Sequence, residues 1–117
     1  MLPSQKELFY DLATSLEYWS NTLTEQVNGK KKVFSDELID SYKILSERLS
    51  APEDIEAFQK VVFDGMNGLI HSMLVMFDGG TRLSEYTNLS IIDNKGNEFP
   101  KYLHEEWPSY LDKLGDE

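Results

Sequence analysis

Apolar residues recur at steps of three and four along much of the chain, which is the spacing of one face of an α-helix. In the first such stretch the recurring positions are Leu8, Leu12, Leu16, Trp19, Leu23 and Val27. Ser4, with Glu7 three residues later, matches a capping box, which satisfies free backbone N–H groups at a helix start. Gly29 follows the stretch, and glycine readily takes the left-handed conformation of a helix end. The pattern therefore predicts a first helix over residues 5–28.

A second helix is predicted to begin after Ser35, a good N-cap residue, and to end in the segment 50–53. Its apolar stripe consists of Leu38, Tyr42, Leu45 and Leu49. The segment between the first and second helices is short, so we expect the two to pack as an antiparallel pair.

The third predicted helix carries the longest apolar run of the chain, Leu69–Phe77. Because this run is apolar on nearly every side, it is typical of a helix buried on most faces, and we expect Leu69 and Met73 to be almost fully buried. Gly65 and Gly68 are unfavourable inside a helix, so the sequence leaves open whether this helix is continuous. A glycine-rich segment directly after the run ends the helix.

The last third of the chain changes character. Residues 89–93 alternate and include β-branched side chains, which predicts a short strand, and residues 94–97 have the composition of a turn. Residues 98–99 would return as the second strand of a hairpin. The apolar spacing over 103–114 then predicts a C-terminal helix.

These elements predict one α+β domain, mainly α-helical, that spans residues 1–117. Its core consists of three helices, two of them antiparallel and packed on the long buried third helix. A short β-hairpin and the C-terminal helix cover one end of this core.

Charge narrows the classes of partner. The chain has 21 acidic and 11 basic residues and a net charge of −10, with most of the excess in the second half. Such a surface repels nucleic acid and anionic membranes and attracts a basic protein. The chain lacks cysteine, and we find neither a signal-peptide pattern nor an apolar run of membrane-spanning length. We therefore expect a cytoplasmic protein with a protein partner, without nucleic acid or membrane.

The two histidines, His71 and His104, are the weak candidates for catalysis. Asp78 lies seven residues after His71, which is about 10 Å along a helix, so it cannot share one atom with that histidine. If the fold brings His104 to His71, a carboxylate from Asp78, Glu105 or Glu106 would complete a metal or acid–base site. Buried histidines held by one hydrogen bond are more common, so we expect His71 to be sealed in the core. We therefore assign no catalytic residue, metal or cofactor.

The residues expected to contact a basic partner are Glu98, Tyr102, Glu105 and Glu106. Carboxylates attract the partner, and Tyr102 fits no apolar stripe, so its side chain is free to join an interface.

The run Gly68–Thr81, followed by Ile91–Asp93 and Leu103–Glu106, resembles small bacterial proteins, some of which are immunity proteins encoded beside toxin genes. The resemblance covers roughly the last half of the chain and carries over no functional residues. It implies a small acidic binding protein that neutralises a basic toxin domain. One alternative is a small metal-dependent or acid–base enzyme that uses His71 and His104. A second alternative is a self-associating structural subunit, such as a homodimer.

Overall fold

The computed structural model describes residues 1–115 and is 70% helical. Within these residues there are four α-helices: α1 Pro3–Val27, α2 Ile39–Arg48, α3 Pro52–Phe77 and α4 Leu103–Gly115. Short 3-10 turns precede α2, at Asp36–Leu38, and follow α3, at Arg82–Glu85. All four helices lie where the apolar spacing predicts them.

The chain divides into two compact units. The first, here called the cleft unit, contains Met1–Thr14 and the described residues from Asn67 onward; the second contains Ser15–Met66. No helix among residues 1–115 combines the length and apolar character needed to cross a bilayer.

Glycine ends two of the helices, as predicted. Gly29 and Gly79 have φ angles of 84° and 85° and follow α1 and α3. After Gly79, the backbone N–H of Gly80 donates to the carbonyl of Val75 at 2.9 Å, which closes the last turn of α3. The helix runs without a break through its internal glycines, so the question that the sequence left open is settled.

The predicted helix caps are wrong. The hydroxyl of Ser4 donates to the Oδ2 atom of Asp93 at 2.7 Å, and α1 already begins at Pro3. Ser35 makes no side-chain cap bond. In the first case a distant carboxylate competes for the hydroxyl more strongly than the helix's own backbone does.

The predicted β-hairpin, and with it the α+β class, is also wrong. The turn forms, but residues 1–115 contain only one isolated antiparallel bridge, between Ile92 and Glu98, and no strand. Asp93 explains the tight turn, because its carboxylate accepts the backbone N–H groups of Lys95 and Asn97 at 2.9 and 3.0 Å. Pairing reaches one step beyond the bridge, where the Phe99 N–H donates to the Ile91 carbonyl at 2.8 Å, and two such short segments, with no third strand among residues 1–115, are too few to extend it.

The prediction that α3 is buried on most faces is wrong. Leu74 is the one buried residue recorded on α3, whereas Leu69 is 64% exposed and Met73 is also exposed. In the cleft unit, α4 contacts the stripe of α3 that starts at Asn67, whose Oδ1 accepts the Trp107 indole N–H at 2.8 Å. Leu69 and Met73 lie off this stripe.

Aromatic packing joins α1 to α4 within the cleft unit. The Phe9 ring lies 5.4 Å from the Trp107 ring, edge to face, and 5.5 Å from the Tyr110 ring. Phe9, Leu74, Phe99, Leu103 and Trp107 are the buried apolar residues of this unit. This packing places the N-terminus of α1 beside the first turns of α4.

The second unit buries polar side chains along α1. These residues are Ser20, Thr22, Thr24 and Gln26. Gln26 donates to the carbonyl of Lys32 at 3.0 Å and accepts the hydroxyl of Tyr42 at 3.2 Å. These bonds hold α2 and the preceding loop, although α2 itself has no buried residue.

Candidate functional site

The first turns of α4 carry the residues of interest because two apolar anchors fix them in place. Leu103 and Trp107 are both fully buried and lie four residues apart, on one face of α4. The residues between these anchors point in other directions. His104 reaches the end of α3, whereas Glu106 reaches the start of α1.

An acidic cleft of about 520 Å³ lies beside the N-termini of α1 and α4. The lining residues are Met1, Leu2, Pro3, Gln5, Glu98, Pro100, Tyr102 and Glu106. Four of the eight are apolar, two are carboxylates, and none of the described lining residues has a basic side chain. Three of the four residues predicted to bind a partner, Glu98, Tyr102 and Glu106, therefore line one cleft, whereas Glu105 does not.

Gln5 gives the cleft an unmatched hydrogen-bond acceptor. Its side chain is fully buried, and its Nε2 group donates to the Oε2 atom of Glu106 at 2.5 Å. The Oε1 atom of the same amide is buried and has no partner. Buried polar atoms are nearly always hydrogen-bonded, so an orphan acceptor at the wall of a cleft indicates a place for a donor.

Hydrogen bonds also hold the second carboxylate of the cleft. Glu98 accepts the hydroxyl of Ser90 at 3.0 Å, and its backbone forms the isolated bridge with Ile92. Both carboxylates of the cleft are therefore positioned by neutral donors, and neither is paired with a basic side chain among the described lining residues. The electrostatic environment favours a cation.

The bond between Ser4 and Asp93 ties the start of α1 to the loop that carries Glu98. Donation by the Ser4 hydroxyl is the largest influence on Asp93, followed by donation from the side chain and backbone of Asn97. Together these donors hold the pKa of the Asp93 carboxyl well below its usual range. A carboxylate stabilised in its charged form thus fixes two walls of the cleft relative to each other.

A second cluster surrounds the other side of the α4 N-terminus. The Oδ2 atom of Asp78 accepts both the backbone N–H of His104, at 2.9 Å, and its ring Nδ1–H, at 2.5 Å. The Asp78 side chain is only 2% exposed and the His104 side chain 28%. The His71 ring lies edge-on to the His104 ring, with centroids 5.8 Å apart.

The prediction that His71 is sealed in the core is wrong, because the residue is exposed on the surface of α3. The physical reason is position: His71 shares the stripe of Asn67 and Leu74 but lies at its open edge, where its neighbour is the partly exposed His104 ring. The structure thus brings both histidines and Asp78 together. No three side chains of metal-binding types among residues 1–115 are arranged to hold one ion.

Sequence reasoning missed Gln5 and Asn67 as parts of these sites. Gln5 meets Glu106 across 101 positions of sequence, and Asn67 meets Trp107 across 40. A single glutamine or asparagine at such a position carries no periodic signal that distinguishes it from a solvated residue. Only the packed helices show their roles.

Comparison with models of known protein families, with curated protein sequences and with solved structures gave no match to this chain.

Proposed function

We propose that the chain is a binding protein whose acidic cleft takes a Lys or Arg side chain from a basic partner protein. The observation that carries this proposal is the pairing of the orphan acceptor of Gln5 with the Glu106 carboxylate in one cleft. A cationic side chain supplies what both atoms lack, since it donates hydrogen bonds and carries positive charge.

The apolar lining supports the same kind of ligand. A Lys or Arg side chain has a long hydrocarbon stem, which packs on apolar surface while its charged end reaches a carboxylate. Tyr102 and Pro100 offer such a surface, and Tyr102 is exposed. An aromatic ring also attracts a cation directly.

Longer-range charge favours the approach of a basic partner. The described residues of the cleft unit include nine acidic and five basic side chains. A charge excess of one sign raises the rate at which an oppositely charged partner reaches its site, and salt screens this effect. The cleft provides specificity after encounter, because two carboxylates and the unmatched acceptor of Gln5 belong to residues that line it.

The resemblance to bacterial immunity proteins supplies a candidate for the partner. We propose a basic toxin domain as the protein that places its Lys or Arg in the cleft. This identification rests on the resemblance and on charge, whereas the cleft itself argues only for a basic segment.

The experiment measures binding of a short peptide of alternating lysine and leucine residues to variants that differ by matched charge changes. The test variant is Glu98→Gln with Glu106→Gln, which keeps side-chain shape and removes both cleft carboxylates. The control, Glu105→Gln, removes one charge from the neighbouring position, outside the cleft. Charge-assisted hydrogen bonds contribute about 1.5–3 kcal/mol each, so we expect the double variant to bind at least about tenfold more weakly.

For the control we expect less than a twofold change. If the control weakened peptide binding as much per removed charge as the double variant does, the proposal would be contradicted. The net charge of the chain, rather than the cleft, would then govern binding. Thermal unfolding of each variant, compared with the unmodified protein, verifies that the fold is retained.

The enzyme alternative rests on the approach of His71 to His104. The bond from His104 to Asp78 is the arrangement that orients a general base. Neither histidine is among the described residues that line the cleft, so the approach of the two rings does not bring them to the carboxylates and the orphan acceptor on which the binding proposal rests.

A further inference from the structure

The two histidines of the chain lie side by side, although they come from different helices and are 33 positions apart in sequence. Their rings are edge-on, with centroids separated by 5.8 Å. The binding proposal uses neither residue, so this cluster needs its own explanation.

Asp78 determines which ring nitrogen of His104 carries the proton. An ionised carboxylate only accepts hydrogen bonds, so the Nδ1 atom of His104 carries the proton that Asp78 accepts. In the neutral imidazole the lone pair is then on Nε2. A carboxylate that accepts the outer N–H of a histidine is the arrangement that orients metal-ligating histidines and raises their basicity.

We infer that His71 and His104 bind a divalent transition metal ion of the zinc, copper or nickel type, with Asp78 as the positioning residue. A Zn–N bond of about 2.0–2.1 Å places each imidazole centroid about 3.2 Å from the ion, so two ligating rings have centroids about 5–6 Å apart. The observed 5.8 Å falls within this interval.

The described residues supply two imidazole ligands, and a carboxylate lies next to them. Glu105 has its Oε1 atom 3.9 Å from the Nε2 atom of His104, so its carboxylate lies beside the inferred site and can accept a hydrogen bond from a water bound to the ion. With two protein ligands, the site leaves positions for water or for a group from another molecule. Imidazole donors favour zinc, copper and nickel over magnesium and calcium, which prefer oxygen.

A purely structural role for Asp78 explains less of the geometry. Its bond to the backbone N–H of His104 satisfies a free donor in the first turn of α4, as a capping residue does. Capping does not require the Nδ1 bond, and it gives no reason for His71 to approach the ring. The second oxygen of Asp78 is moreover buried without a partner, which an optimised cap would avoid.

The test is a titration of the full chain with zinc chloride, followed by NMR of the histidine rings and by calorimetry. We expect one ion per chain, ring shifts at His71 and His104, and no such shifts with magnesium. His71→Gln is the most informative variant because the residue is exposed and its replacement leaves the buried core intact. We expect it to weaken zinc binding at least tenfold.

Asp78→Asn should weaken zinc binding by about 10- to 100-fold while the ring shifts still occur at saturation, since an outer carboxylate acts through its histidine. Asp112→Asn, which removes a charge from the exposed side of α4, serves as the control and should leave zinc binding unchanged. Zinc affinity that is the same in His71→Gln as in the unmodified chain, or ring shifts at only one histidine, would overturn the inference.

Discussion

The partial exposure of α3 leads us to expect that two leucines on this helix contribute very differently to the free energy of unfolding, because they differ in burial and in little else. Leu69 is 64% exposed, whereas Leu74 is 2% exposed. Both lie in the cleft unit, five positions apart on the same helix. Replacing each by alanine deletes the same three carbon atoms, so differences in the free energy of unfolding report the surroundings of each leucine.

The expected magnitudes follow from the area that each side chain removes from water. Each buried methylene-sized group contributes about 0.8 kcal/mol, so Leu74→Ala loses about 2.5 kcal/mol from transfer alone. The cavity left in a closed core adds to this, which gives a total of about 3–5 kcal/mol. Leu69 hides only about a third of its surface and leaves no closed cavity, so Leu69→Ala should cost less than about 1 kcal/mol.

Urea unfolding, followed by tryptophan fluorescence and by far-ultraviolet circular dichroism, measures both values. The measurement is repeated at two protein concentrations, because a contact of Leu69 with another molecule would make its effect depend on concentration. A cost for Leu69→Ala equal to that for Leu74→Ala at both concentrations would refute the packing of α3 described here.

Three further predictions concern other parts of the chain. Asn67→Ala leaves the buried indole N–H of Trp107 without its acceptor and should cost about 1–3 kcal/mol in urea unfolding, whereas Asn88→Ala, at an exposed position, should be nearly neutral. Folding lowers the pKa of Asp93, so the stabilising effect of this carboxylate is complete above an unfolded pKa of about 3.9 and is lost as the pH falls below that value. Between pH 5 and pH 2.5, Asp93→Asn should therefore lose less stability to unfolding than the unmodified chain does. An equal loss would contradict the role given to Asp93. The self-association alternative predicts that sedimentation at high micromolar concentration shows a dimer that Leu69→Lys dissociates, and a monomer at that concentration would reject this alternative.

The helices could be predicted from the sequence because local periodicity and glycine stops determine them. The burial of individual residues could not be predicted in the same way. An apolar run such as Leu69–Phe77 shows a preference for burial but does not show how many neighbouring elements are available to cover it. The hairpin failed for a related reason. Its turn residues are correct and the Asp93 carboxylate tightens the loop, but backbone pairing ends at the bond from the Phe99 N–H to the Ile91 carbonyl, and no third strand among residues 1–115 supports the two short segments.

The candidate site was predictable only in part. Glu98, Tyr102 and Glu106 lie within nine positions, so a single local segment brings them to one cleft, and Tyr102 is exposed as its place off the apolar stripes indicates. Gln5 joins them from the other end of the chain, and Asp78 meets His104 from a preceding helix. Such contacts depend on how helices pack, which periodicity within one helix does not specify.

The central claim, that the acidic cleft receives a cationic side chain, is tested most directly by mapping the contact. Isotope-labelled protein is titrated with the lysine–leucine peptide, and amide shifts are followed across the chain. The account predicts shifts concentrated at the side-chain amide of Gln5 and at the backbone of Glu98, Tyr102 and Glu106, with saturation. Shifts spread evenly over the acidic residues of both units, with the Gln5 amide unmoved, would contradict it.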